Sequence, residues 1–228
     1  MVPLQMTILD PLLPLLVLAL APGIFWLWYF YHRDKYEPEP LSWIVIVYFL
    51  GIAVTIPVAI IEGIFGLFVS GLVIAVVVAP IVEEYGKYFV VRHTVYNSIE
   101  FNEPVDGIVY AAAAALGFAT LENVIYVFSS ETVLDAIGTG LVRAVLSVPG
   151  HALFSIMWGY ALGRARFLPP AQRPGVIAVG LIMAMVLHGL FNFLLIFDVG
   201  FALLILVLTP VMWWLVNRDI ITALGWKR

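Results

Sequence analysis

The stretch Ala79-Pro80-Ile81-Val82-Glu83-Glu84-Tyr85-Gly86-Lys87 sets two adjacent carboxylates and a lysine between the apolar run 72–79 and the mostly apolar run 88–91. A charged side chain near a bilayer centre costs at least ~2.5–3.5 kcal/mol on insertion scales, so such residues face the protein interior and mark function. Helical spacing puts Glu83 and Lys87 on one face, four apart, with Glu84 three from Lys87. The two glutamates point roughly 100° apart and therefore do different jobs. A blander reading makes the same residues a helix end whose charges reach the headgroups. Features further along the chain decide between the two.

Of the 228 residues, 63% are hydrophobic and 11% charged, and the mean hydropathy is +1.06. A soluble domain carries roughly 25% charge, so the composition is that of an integral membrane protein. The apolar segments have the length of membrane helices and lack the alternation of barrel strands, which predicts an all-α, polytopic protein. The absence of cysteine excludes disulfides, thiolate metal sites and cysteine nucleophiles. No basic stripe suggests nucleic acid as a partner. The N-terminus lacks the positive region and cleavage site of a signal peptide, so Met1 onwards reads as the first membrane segment.

Hydropathy places seven spans near 8–31, 41–62, 70–93, 106–129, 137–165, 174–197 and 199–217. The segment 62–70 reads either as an outer hairpin or as the start of span three, and Pro149-Gly150 is the expected kink or break in span five. Arg33 and Lys35 follow span one; Lys87 and Arg92 lie in and after span three; Arg164, Arg166 and Arg173 follow span five; Arg218, Lys227 and Arg228 follow span seven. The connections after spans two, four and six hold no lysine or arginine. This alternation predicts an outer N-terminus and an inner C-terminus. The short loops 32–40 and 97–105 leave no soluble domain over, so 1–228 reads as one transmembrane domain with its activity among the helices.

Polar residues inside the spans recur at one depth. Span four carries Glu122 and Asn123 after the run Ala111–Ala115, whose small side chains permit close helix approach. Span five carries Arg143, a candidate counter-ion, and His151 with Ser155 one turn on; span six carries His188 with Asn192 one turn on, placed to bond one ring nitrogen of His188 or a substrate carbonyl. At ~1.5 Å per residue, Glu84, Glu122, His151 and His188 each fall about halfway through their spans. In hydrocarbon such groups need one another, so spans three to six are expected to share one polar cavity.

These motifs resemble the PrsW family of intramembrane proteases and, more distantly, the type II CAAX prenyl endopeptidases and the Aph-1 subunit of gamma-secretase. The resemblance rests on Glu83-Glu84-x-x-Lys87, on Phe118-x-x-x-Glu122-Asn123, on His151 with Ser155 and on His188 with Asn192. Glu-Pro-Glu-Pro at 37–40 and the segment 103–107 add to it, and the likeness runs from about 30 to 197. It implies hydrolysis of a peptide bond of a membrane-anchored protein in a multi-pass protein of the cell membrane. In characterised relatives that substrate is an anti-sigma factor.

For the chemistry, Ser155 near His151 would need a further base and an oxyanion donor from other helices, which makes a serine route weak. A general-base route fits better, with Glu84 or Glu83 deprotonating a water that Glu122 or a histidine orients. His151, His188 and Asn192 would then stabilise the oxyanion and protonate the leaving amine, with Lys87, Asn123, Ser155 and Arg143 in support. This reading needs no cofactor. The alternative is zinc held by Glu84, Glu122, His151 and His188, which Lys87 and Arg143 disfavour. Two rival functions are an Aph-1-like scaffold and a proton-coupled transporter, the latter opposed by the lack of an internal repeat.

Overall fold

A computed structural model describes residues 11–197 and 203–226. Its elements are α1 (Leu12–Tyr31), α2 (Leu41–Phe65), α3 (Gly71–Val73), a π-helical turn (Ile74–Val78), α4 (Ala79–Thr94), α5 (Pro104–Phe128), α6 (Val133–Val145), α7 (Ser147–Arg166), α8 (Arg173–Phe197) and α9 (Ile205–Leu224). Among the described residues there is no strand, and the all-α polytopic expectation holds. Among the described residues six passages are long and apolar enough to cross a membrane, with α6 and α7 counted as one. The run from α3 through the π turn to α4 is the seventh, and its Glu83, Glu84 and Lys87 are buried. Residues 8–10 and 199–202 of the expected first and last spans, and the basic residues Lys227 and Arg228, lie outside the described residues.

Two boundaries differ from expectation. Helix α2 runs to Phe65, past the expected end of span two at 62, and residues 66–69 turn tightly into the next segment, which starts near 70 as expected. The fifth span breaks at Leu146, which ends α6 and opens α7, and Pro149-Gly150 lies within α7. A proline ring clashes with the carbonyl four residues back, here Val145, the last residue of α6. Pro149 therefore fits the first turn of a new helix, where its missing N–H costs no bond.

Helix α5 is the axis of the bundle, with 78% of its apolar window buried against 11% for α1. It packs against α7, α2 and α1. Ala111–Ala115 are fully buried, as the packing reading of that run requires. A Cβ on Gly107 would fall on the carbonyl of Gly159, so glycine is what lets α5 and α7 meet backbone to backbone. Large apolar side chains such as Phe49, Leu134, Ile182 and Trp214 project outward, the arrangement expected of a lipid-facing surface. Polar bonds cross the interior: Tyr48 donates to Thr120 Oγ1 at 2.8 Å and Asn123 Nδ2 to the Ala19 carbonyl at 2.8 Å.

The loops 32–40 and 97–105 are laced together at the start of α5. Asp106 Oδ2 accepts the backbone N–H groups of Asn102 and Glu103 at 2.7 and 2.6 Å, capping the helix that Pro104 opens. Tyr110 donates its hydroxyl to Glu39. Burial, and next the Asp106 carboxylate, push the Glu39 carboxyl up to about 9.

Candidate active site

Four segments bring their polar residues to one place. Lys87 Nζ, fully buried, lies 2.8 Å from Glu84 Oε1, 3.2 Å from Glu83 Oε2 and 3.0 Å from His151 Nδ1. The Phe118 ring, 4.4 Å away, closes the remaining side of the ammonium. The i, i+3 and i, i+4 spacing in α4 thus gives one cation both carboxylates.

The adjacent glutamates differ sharply. Glu84 Oε2 accepts from Ser155 Oγ at 2.6 Å and from Trp158 Nε1 at 3.0 Å. Its Oε1 faces Lys87 and, at 3.1 Å, His188 Nδ1. All four partners are side chains, and Glu84 has no exposed surface. Glu83 instead lines a cavity of about 300 Å3, together with Glu122, Arg143, His151, His188 and Asn192.

The histidines are held from behind. His151 Nε2 lies 2.8 Å from Glu122 Oε2, and Arg143 donates to that same oxygen at 2.8 Å. Arg143 also donates to Asn123 Oδ1 at 3.1 Å. With Lys87 as an ammonium donor, His151 accepts at Nδ1 and its Nε2–H donates to Glu122. Glu84 sets His188 in the same way, taking the Nδ1–H and leaving the Nε2 lone pair facing inward. His151 Nδ1 and His188 Nε2 lie 3.6 and 4.0 Å from Glu83 Oε2. The carboxylate of Glu83 and two ring lone pairs therefore converge on one region.

Not every expected partnership occurs. Asn192 does not hold the His188 ring; its Nδ2 donates to the Ala75 carbonyl at 2.9 Å. That carbonyl is free for a reason in the sequence. Ala79 N–H reaches back five residues to the Ile74 carbonyl in the π turn. The next N–H would serve Ala75, but the next residue is Pro80, which has none. Ser155 is committed to Glu84 rather than to His151. Of the four alternative zinc ligands, Glu84 and Glu122 stand behind the histidines, while Glu83, His151 and His188 offer donor atoms within 4.8 Å of one another.

Glu62, at the end of α2, and Tyr126 also line the cavity, and neither was singled out from the sequence. The available signal for Glu62 was a lone acid in Ile60-Ile61-Glu62-Gly63, which sat at the assumed end of span two. His32 and His93 only bond carbonyls of their own helices.

A family model described as "PrsW family intramembrane metalloprotease" matches residues 39–216. A "Protease PrsW" of Geobacillus kaustophilus is 35% identical over 213 residues, covering 92% of both chains. One of Bacillus subtilis is 33% identical over 86% of this chain and 89% of its own. One of Clostridioides difficile is 32% identical over 91% and 90%. No solved structure matches the chain. With well over half of its length matched by the family model, and with acids and imidazoles gathered inside a helical bundle, the chain belongs to the PrsW family of intramembrane proteases.

Proposed function

We propose that Glu83 is the group that activates water in this protease, on a substrate anchored in the same membrane. The observation that carries this is the contrast between the two neighbouring glutamates. Glu84 accepts from four side chains and has no capacity left, whereas Glu83 opens on the cavity. Glu83 would take a proton from a water whose oxygen attacks the scissile carbonyl carbon. As the carbonyl electron pair moves onto oxygen, the second amide N–H of Asn192 and the Arg143 guanidinium donate to it. The inward ring lone pair of His188 relays the proton from Glu83 to the leaving nitrogen. The C–N bond then breaks, giving a carboxylic acid and an amine. Lys87 favours the ionised form of Glu83 from which the cycle starts and to which it returns once His188 takes the proton, and Glu122 with Arg143 fixes the ring of His151.

A second reading is favoured by a specific observation, supported by the family description. Glu83, His151 and His188 form a two-histidine, one-carboxylate set, the make-up of a catalytic zinc site. Each imidazole is backed on its other nitrogen by a carboxylate, as metal-ligating histidines usually are. These residues fit a zinc ion, which would polarise the carbonyl and acidify the bound water. The obstacle is Lys87, whose ammonium lies 3.0 Å from His151 Nδ1 and 3.2 Å from Glu83. Two cations do not share those donors, which is why the metal-free route is preferred. Metal analysis of the purified protein, with cleavage measured before and after chelation, tests the choice. Cleavage that survives chelation supports Lys87 as the resident cation; one zinc per chain whose removal abolishes cleavage overturns it.

The orientation, N-terminus outside and C-terminus inside, rests on the alternation of basic residues in a cell-membrane protein. A membrane-anchored anti-sigma factor is the substrate class that the family resemblance suggests, and kinship with the CAAX peptidases and Aph-1 belongs to the same reading. Co-expression with such single-span proteins, comparing fragments between wild type and Glu83→Gln, tests it.

A further inference from the structure

A second group of acids lies far from the cavity. Asp34 and Glu39 come from the α1–α2 loop and Asp106 from the first turn of α5; one carboxylate oxygen of each lies within 4.8 Å of the others. Asp106 and Glu122 are sixteen residues apart on α5, about 24 Å along its axis, so this group is separate from the proteolytic site. All three are buried, Asp34 to 2% and Asp106 to 1% exposure.

Three carboxylates in such a space repel one another and lose their hydration. Their surroundings do not compensate. None of the described ion pairs involves Asp34, Glu39 or Asp106. Asp34 uses Oδ1 for the N–H groups of Tyr36 and Glu37 at 3.3 and 3.4 Å, and Asp106 uses Oδ2 for its capping bonds. The other oxygens, Asp34 Oδ2 and Asp106 Oδ1, are buried and accept from no N–H or hydroxyl donor among the described residues; what Asp106 meets instead is the Glu39 carboxyl, within hydrogen-bonding reach. Arg33, one residue away, rests on the Tyr29 ring, with its Nε buried and unbonded.

A pair of orphaned, buried carboxylate oxygens beside a third carboxylate is a donor set for a cation. All donors are oxygen, which selects a hard ion over zinc or copper. We propose that Asp34, Glu39 and Asp106 bind a hard divalent cation, calcium or magnesium, that clamps the α1–α2 loop to the start of α5. Tyr110, by donating to Glu39, turns that carboxyl towards the group. Because α5 is the axis of the bundle, an ion there ties α1 and α2 to the helix carrying Glu122.

The test uses the full chain, purified in detergent and stripped with EDTA, then titrated with calcium or magnesium chloride against a potassium chloride control of equal ionic strength. Either divalent ion is expected to raise the melting temperature on the order of 5 °C at saturation, and whichever acts at lower concentration identifies the ion. Terbium should bind with tyrosine-sensitised luminescence that the same ion displaces. Asp34→Asn and Glu39→Gln should weaken binding at least tenfold, while Glu83→Gln leaves it unchanged. If the loop variants do not fold, Tyr110→Phe should more than halve the luminescence and keep the thermal shift. No saturable binding, unchanged affinity in Asp34→Asn, unchanged luminescence in Tyr110→Phe, or loss of binding in Glu83→Gln each overturns the proposal. Wild-type stability indifferent to both ions would mean that a proton, not a metal, holds the carboxylates together.

Discussion

Arg143 and His151 grip the same atom, Oε2 of Glu122, each at 2.8 Å. One oxygen therefore links the end of α6 to the beginning of α7 across the break at Leu146. It fixes the ring whose other nitrogen faces Lys87 and Glu83. Replacing Glu122 by Gln keeps the shape but loses the charge and the acceptor pair. We expect kcat to fall roughly 10- to 100-fold with KM little changed. A steady-state comparison on a single-span substrate checks this; an equal rise in KM with kcat intact would assign Glu122 to substrate binding.

The two glutamates of α4 should separate stability from chemistry. Glu83→Gln is expected to cut cleavage roughly 100- to 10,000-fold while thermal unfolding moves less than in Glu84→Gln, because Lys87 keeps Glu84 as its closer partner. Glu84→Gln removes a buried partner of Lys87 and a charged acceptor for Ser155 and Trp158, so it should cost about 3–5 kcal/mol. Unfolding in detergent and cleavage, measured on both variants, give the pattern. Glu84→Gln folding normally but dead in catalysis would exchange the roles.

Asn192 and Pro80 should be coupled. Asn192→Ala leaves the Ala75 carbonyl without its donor and should cost about 1–3 kcal/mol. Pro80→Ala supplies a backbone N–H able to take that carbonyl. In the double variant the loss should be partly recovered, a non-additivity of at least ~0.5 kcal/mol. Hydrogen exchange over residues 74–80 reports the same event as added protection.

Gly159→Val should be among the most damaging changes far from the cavity. Its new Cβ would strike Ala111 and the Gly107 carbonyl, and the helices can only move apart. A loss of several kcal/mol is expected, of the order seen for overpacked cores (about 1–3 kcal/mol, occasionally more). Gly175→Ala, where nothing lies within 4 Å of an added Cβ, is the control and should be nearly silent.

The helical class, the passages and the meeting of Glu84, Glu122, His151 and His188 were legible because hydrocarbon makes polar residues conspicuous. The i, i+4 spacing of Glu83 and Lys87 likewise announced their ion pair. What could not be read was which neighbour each group would choose across helices. Asn192, one turn from His188, looked like its hydrogen-bond partner, yet Pro80, a proline over a hundred residues earlier, freed the carbonyl that claims it. Glu62 passed unnoticed because hydropathy put it at a span's edge, whereas α2 continues to Phe65. The hinge at Leu146 was misplaced to Pro149, since a proline marks where a helix cannot continue through, while the bend falls on the turn before it.

Glu83, Glu84 and Lys87 all belong to α4, so the ammonium meets both carboxylates without help from another helix. During synthesis this segment can therefore leave the translocon with its cation already neutralised, and its insertion does not await the arrival of α7 or α8. The imidazoles join afterwards, as the bundle closes around a trio that entered the lipid ready-paired.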